Sequence, residues 1–172
     1  VPPTRETIDS LFEEAMLLNR LVDDLQELAM AEAGQLKLAR QPVAVAEIVE
    51  KALQTVQCRA SEQQICLSAN VAPNLPILSL DAERIGQVLR NLLNNAVEYT
   101  PPGGQVTVNA KQVNGQVQVS VYNNGIGISS EHLPYLFERF YRVDHSRTRK
   151  TGGRGLGLAI VKQLVEAHGG EV

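Results

Sequence analysis

The sequence contains no tryptophan, and Phe and Tyr together supply only 4% of its 172 residues. A core must therefore rest on Leu, Val, Ile and Ala, which the 44% hydrophobic content permits. Cysteine is scarce: Cys58 and Cys66 stand alone, eight residues apart. A zinc site brings closer pairs and more ligands, so both read as ordinary thiols of a reducing compartment. Basic residues are not in excess. The net charge of −3 argues against a general nucleic-acid binder. No uncharged apolar run approaches ~20 residues, and no signal-peptide pattern opens the chain. Any membrane attachment is thus expected from upstream segments. Two nucleotide motifs are also missing. There is no GxxxxGK[ST], and Gly153-Arg154-Gly155-Leu156-Gly157 has neither the dinucleotide spacing nor a strand leading into it.

What is present begins with a long helix over residues 4–33. Ile8, Leu11, Ala15, Leu18, Val22, Leu25 and Ala29 alternate by three and four, the seam of a coiled coil or helical bundle. Phe12, Leu21 and Leu28 widen that stripe, which suits a four-helix bundle. Such a helix is roughly 45 Å long and cannot bury the stripe on itself. It needs partners. Gly34 stops it, and Gln41-Pro42 reads as a linker.

Beyond the linker the pattern is mixed. A helix is expected over 44–63, an alternating strand over 65–71, and a short strand over 77–80. Asp81 then reads as the N-cap of a helix running to about Tyr99, ended by Pro101-Pro102-Gly103-Gly104. Val106, Val108 and Ala110 alternate, Asn114-Gly115 turns the chain, and Val117, Val119 and Val121 alternate again, a hairpin with a type I′ turn. A loop-rich stretch follows, then a last helix over about 154–167.

Three stretches carry chemistry. On the helix after Asp81, one clean apolar face lies opposite Arg84, Gln87, Asn91, Asn95 and Glu98. Asn91 and Asn95 share a stripe, one turn apart. Asn is a poor helix former, and amide oxygens suit a hard cation such as Mg2+ among phosphate oxygens. A polar surface row would look the same on this helix alone. The second stretch, Asn123-Asn124-Gly125-Ile126-Gly127-Ile128, follows a strand directly. Its glycines allow close backbone approach, and a polar side chain there can meet a base edge; a plain turn is the bland alternative. In the third, Gly152 to Gly157 lead into an apolar helix, whose N-terminal N–H groups form an anion site. Arg139, Arg142, Arg147, Arg149, Lys150 and Arg154 precede or enter it, against only Glu138 and Asp144. A basic, glycine-bounded loop suits a triphosphate lid.

Taken in order, these stretches resemble the GHKL ATP-binding superfamily, specifically sensor histidine kinases of two-component systems. Asn91 to Ala96 with Tyr99-Thr100-Pro101 resembles the N box, Asn123 to Ile128 the first glycine box, Leu136 to Arg142 the F box, and Gly153 to Leu158 the second glycine box. Leu21 to Leu25 with Glu32-Ala33-Gly34 resembles the second helix of the dimerisation and phosphotransfer domain. The resemblance implies an α+β chain: a long bundle-forming helix and linker over 1–40, then a two-layer α/β sandwich of Bergerat type over 41–172. It implies ATP and Mg2+ as cofactors. Asn95 would ligate Mg2+, with Asn91 beside the metal or phosphates. Tyr99, Asn123, Gly125, Gly127 and Ile128 would bound the base. Arg142, Lys150, Gly153, Gly155, Leu156 and Gly157 would line the phosphates. Arg147 or Arg149 could touch the γ-phosphate, and sequence does not choose between them. Further implications are a homodimer through the first helix, a response regulator receiver domain as partner, and a bacterial cytoplasmic location.

The sequence departs from this family's pattern at two positions. Asn123 stands where the first glycine box usually has Asp, which implies weaker adenine binding because a neutral acceptor is weaker than a charged one. Glu98 stands where a Lys often precedes the Tyr, which removes a phosphate contact and sets a like charge there. His132, His145 and His168 lack the family's phosphoacceptor context, so that histidine is expected upstream of residue 1. The family's final strand pair is expected beyond Val172. Related ATPases carry a Glu as water-activating base one turn before the metal-binding Asn. Asn91 occupies that position here and cannot take a proton, which favours a kinase over an ATPase. A non-catalytic nucleotide-binding or anti-sigma-like module is the remaining alternative.

Overall fold

The computed structural model describes residues 4–143 and 155–172. Helix α1 spans Arg5–Glu32, capped by the Thr4 hydroxyl, which accepts from the Thr7 N–H at 3.3 Å. It ends where Gly34 takes φ +64 and the Gln35 N–H reaches back to the Met30 carbonyl at 2.9 Å. Then follow β1 (Gln41–Val43), α2 (Val45–Glu62), β2 (Cys66–Val71), β3 (Leu78–Leu80), α3 (Ala82–Glu98), β4 (Gln105–Val113), β5 (Gln116–Asn123), a 3-10 turn over Leu133–Tyr135, and α4 (Gly157–Ala167).

Two small sheets result among the described residues. β2, β4 and β5 form one in that order, β2 parallel and β5 antiparallel to β4. The β4–β5 turn carries Asn114 at φ +51 and Gly115 at φ +81, the two left-handed residues a type I′ turn requires. β1 pairs antiparallel with β3, from Gln41 opposite Leu80 to Val43 opposite Leu78. The residues that sequence alone makes a linker are therefore half of a ladder. Pro42 lacks an N–H and masks this, yet it sits on a two-stranded edge where that loss is tolerated.

Alternation along the larger sheet separates its faces. Val106, Val108 and Ala110 are buried beneath α2 and α3 together with Ile48, Val49, Ala52, Val56, Leu89, Leu93 and Val97. The other face carries hydroxyls and amides: Ser68 bonds Thr107 at 2.9 Å, and Asn70 bonds Asn109 at 3.1 Å. One helical layer thus lies on one sheet.

A second core forms around α4. Leu156, Ala159, Ile160, Val161 and Leu164 pack with Val88 of α3 and with Leu28 of α1. Leu28 is 1% exposed, a burial that contributes about 2 kcal/mol. The first helix therefore divides its apolar stripe. Leu28, with Leu21 beside it, serves this core, whereas Ile8, Leu11, Phe12, Leu18, Val22 and Leu25 stay exposed. Polar contacts fix the same junction. Glu27 pairs with Arg84 and accepts from Gln87 Nε2 at 2.6 Å, and Glu32 pairs with Arg139. Among the described residues no helix is long and apolar enough to cross a membrane.

Candidate nucleotide site

The site is built at the C-terminal half of α3, where the loop after β5 and the start of α4 meet the helix. Asp81 starts that helix as its N-cap: its Oδ1 accepts from the Glu83 and Arg84 N–H groups, each at 3.1 Å. With Leu89, Leu93, Ala96 and Val97 turned into the core, Asn91 and Asn95 fall at its margin, both half-buried. Asn91 Nδ2 donates to the Gly157 carbonyl at 3.2 Å, so its amide is tied to the start of α4 and its oxygen remains an acceptor.

Past α3 the chain folds back on itself. Gly125 passes so close to the helix end that a Cβ there would lie 2.1 Å from the Tyr99 carbonyl oxygen and 2.6 Å from Asn123 Nδ2. Only glycine permits that approach. Asn123 closes β5, and its Nδ2 donates to the Thr100 hydroxyl at 3.1 Å. Asn124 Oδ1 accepts from the Gln105 N–H at 2.7 Å and pins the same loop to β4. Gly127 takes φ +49, and Ile128 is exposed. Tyr99 is 43% exposed at the rim.

The loop before α4 docks on the preceding segment. Gly155, at φ +72, accepts from the Phe140 N–H at 2.9 Å, and a Cβ on it would strike the Phe140 and Tyr141 backbone at 2.8 Å. Arg142 is half-buried close by in sequence. Gly157 is the first residue of α4, so its free N–H groups lie beside Asn91. Leu156, expected to line the phosphates, is 1% exposed and sealed in the second core. Arg147, Arg149, Lys150 and Gly153, with His145, lie outside the described residues.

Several of these side chains also have partners within the fold. The polar row on α3 is shared among three neighbours rather than solvated. Arg84 and Gln87 meet Glu27 of α1, Asn91 meets α4, and Glu98 lies 3.7 Å from Arg59 of α2. The Glu98 side chain, 15% exposed, is thereby drawn toward a positive partner. His132 Nδ1 lies 2.7 Å from the Tyr141 hydroxyl, and His168 caps α4. The residue that pattern alone does not single out is Thr100. It is 5% exposed and joins the helix end to Asn123. Its signals in the sequence are its place just past a helix terminus and its membership of the Tyr99-Thr100-Pro101 run.

The arrangement offers amide oxygens for a cation, a glycine-walled slot beside a polar base reader, and a helix N-terminus for phosphate. The carboxylate and histidine groupings that hold transition metals are absent among the described residues. This donor set fits a nucleotide such as ATP with a hard cation.

Comparison with known proteins agrees. Residues 80–172 match the family described as histidine kinase-, DNA gyrase B-, and HSP90-like ATPase. Signal transduction histidine-protein kinase BaeS of Escherichia coli (strain K12) is 37% identical over 169 residues, covering 98% of this chain and 36% of BaeS. The chain thus spans little more than a third of that relative's length. Full-length ShkA, solved in complex with AMPPNP, superposes with a TM-score of 0.82 at 30% identity, over 97% of this chain and 35% of ShkA. Acinetobacter baumannii histidine kinase AdeS gives a TM-score of 0.79 at 26% identity, over 97% of this chain and 76% of AdeS. The chain belongs to the histidine kinase-, DNA gyrase B-, and HSP90-like ATPase family, and its ATP-binding domain is of the sensor histidine kinase type.

Proposed function

We propose that this chain binds ATP·Mg2+ and directs the γ-phosphoryl group to a histidine on a dimerisation helix upstream of residue 1, for relay to a response regulator receiver domain. The observation that carries this reading is the convergence at α3: Asn91 on Gly157, Tyr99 against Gly125, and Thr100 on Asn123. Asn95 and Asn91 would hold Mg2+, which would supply neutralisation of phosphate charge. Asn123 would accept from the adenine amine, with Gly125, Gly127, Ile128 and Tyr99 around the base. The α4 N-terminus at Gly157, with the Gly155 main chain, would receive phosphate. Arg142, Arg147, Arg149, Lys150 and Gly153 would complete the lid. Catalysis then rests on positioning and charge neutralisation. Asn91 supplies no base for water, which supports transfer over hydrolysis.

The exposed seam of α1, Ile8, Leu11, Leu18, Val22 and Leu25, supports a homodimer through that helix. The partner receiver domain, a cytoplasmic location and membrane attachment through upstream segments follow the same reading. We test it by calorimetry of the purified chain with a non-hydrolysable ATP analogue, with and without Mg2+, and with GTP as competitor. Mg2+-dependent binding that GTP does not displace is the expected result. Absence of binding would reject the catalytic reading in favour of a non-catalytic module.

A further inference from the structure

We infer that Thr100 is a positioning residue that sets base choice by fixing which end of the Asn123 amide faces the nucleotide. The inference rests on the ATP-binding reading and deepens it.

The starting point is the end of α3. The last carbonyls of a helix have no partner within it. The Tyr99 N–H returns to the Asn95 carbonyl at 3.0 Å, and the Ala96 carbonyl is met by the Thr100 hydroxyl at 2.6 Å. A carbonyl only accepts, so the single hydroxyl proton of Thr100 points at Ala96. Toward Asn123, 3.1 Å away, Oγ1 can then only accept. Asn123 must present its NH2 group to Thr100, and its Oδ1 is left as the group that meets a ligand. The oxygen and nitrogen of an amide are nearly the same size, so shape alone does not choose between its two orientations; the hydrogen-bond network does.

The geometry gives Thr100 little freedom to choose otherwise. It is 5% exposed. Gly104 packs on its methyl so closely that a Cβ would lie 2.3 Å from Cγ2. Gly125 closes the other side of the Asn123 amide, its Cβ position 2.6 Å from Nδ2. The consequence is a base preference. Adenine places an amine, a donor, where guanine places a carbonyl oxygen, an acceptor. An outward Oδ1 favours adenine. An outward NH2 would favour guanine. A carboxylate at position 123 would accept at either oxygen and need no orienting partner. With Asn there, the orientation carries the information, and Thr100 supplies it.

The test is calorimetry of the whole chain with ATP and GTP analogues, on wild type, Thr100→Val, Thr100→Ser and the double variant Thr100→Val/Asn123→Asp. Thr100→Val keeps the shape and removes the hydroxyl. It should reduce the ATP-over-GTP ratio about tenfold, the size of one neutral hydrogen bond exchanged. Thr100→Ser should keep the wild-type ratio. The double variant should recover it, because a carboxylate reads the amine in either orientation. A Thr100→Val chain that is folded yet keeps the ratio within about twofold overturns the inference, since that change is below one hydrogen bond. Loss of the ratio that the double variant does not recover also overturns it, because Thr100 would then serve the fold alone. If Thr100→Val does not fold, Asn123 side-chain N–H resonances in the wild type decide. An NH2 group protected at Thr100 supports the inference, and one exchanging freely with solvent overturns it. Wild-type chain that binds neither nucleotide overturns the ATP reading itself, and this inference with it.

Discussion

The main-chain N–H of Asp81 donates to Nε2 of His168 at 3.1 Å, which ties the start of α3 to the end of α4. His168 Nδ1 lies 2.7 Å from the Leu164 carbonyl, an acceptor, so Nδ1 is the donor of that contact and Nε2 the acceptor of the other. Asp81 extends the tie: its Oδ2 accepts from the Ala39 N–H at 2.9 Å, and Arg40 reaches the Ala167 carbonyl at 2.9 Å. Two of these contacts thus fasten the segment after α1, one to the start of α3 and one to the end of α4.

His168→Ala removes two hydrogen bonds at that tie. It should lower stability by about 1–2 kcal/mol, measured by urea unfolding. Nucleotide affinity of the folded variant should not change, because His168 is absent from the contacts around Asn91, Asn123 and Gly157.

Asp81 gives the fold an acid limit. Burial pushes its carboxyl up, but the N–H groups of Arg84, Ala39 and Glu83 and the Arg84 charge outweigh that and hold it below its ordinary value of 3.8. A depressed carboxylate contributes stability that is complete above its unfolded value and is lost as pH falls through its folded value. Wild type should therefore exceed Asp81→Asn in stability by a constant margin above about pH 5, and the margin should close below pH 3.8. Urea unfolding across pH 3 to 7 reads this as a converging pair of curves.

Asn95→Ala should abolish Mg2+-dependent nucleotide binding and leave the circular dichroism spectrum unchanged. Its side chain is half-buried at the helix margin rather than in the core. Unchanged affinity in the presence of Mg2+ would remove the metal role from Asn95.

Gly125→Ala places a methyl 2.1 Å from the Tyr99 carbonyl oxygen, where neither backbone can yield cheaply. ATP affinity should fall by about tenfold or more as the loop moves off α3. Gly127→Ala meets nothing within 4 Å and bears only the strain of φ +49, so its effect should be smaller, about 1 kcal/mol.

Asn123→Asp should tighten ATP binding by about fivefold, since a charged acceptor forms the stronger hydrogen bond. Titration calorimetry at fixed Mg2+ measures it. An unchanged constant would mean that position 123 does not read the base.

Local pattern determined much of this protein. The 28 residues of α1, the Asp81 cap, the Asn114-Gly115 turn and the alternation of Val106 to Ala110 depend on neighbours within a few positions. The order of the four boxes was legible for the same reason, because each is a contiguous run. Contacts across long separations were not. β1 pairs with a strand almost forty residues away, and Pro42 hid it. Leu25 belongs to the seam of α1 and Leu28 only widens it, yet Leu28 is buried at 1% and Leu25 is 41% exposed, because tertiary packing sets α4 beneath Leu28. Glu98 reads as a charge beside the phosphates until α2 brings Arg59 to it. Thr100 reads only as the middle of the Tyr99-Thr100-Pro101 run until β5 brings Asn123 within 3.1 Å. Sequence names the groups that can donate and accept, and the fold decides which of them meet, because a hydrogen bond holds only within about half an ångström of its best distance.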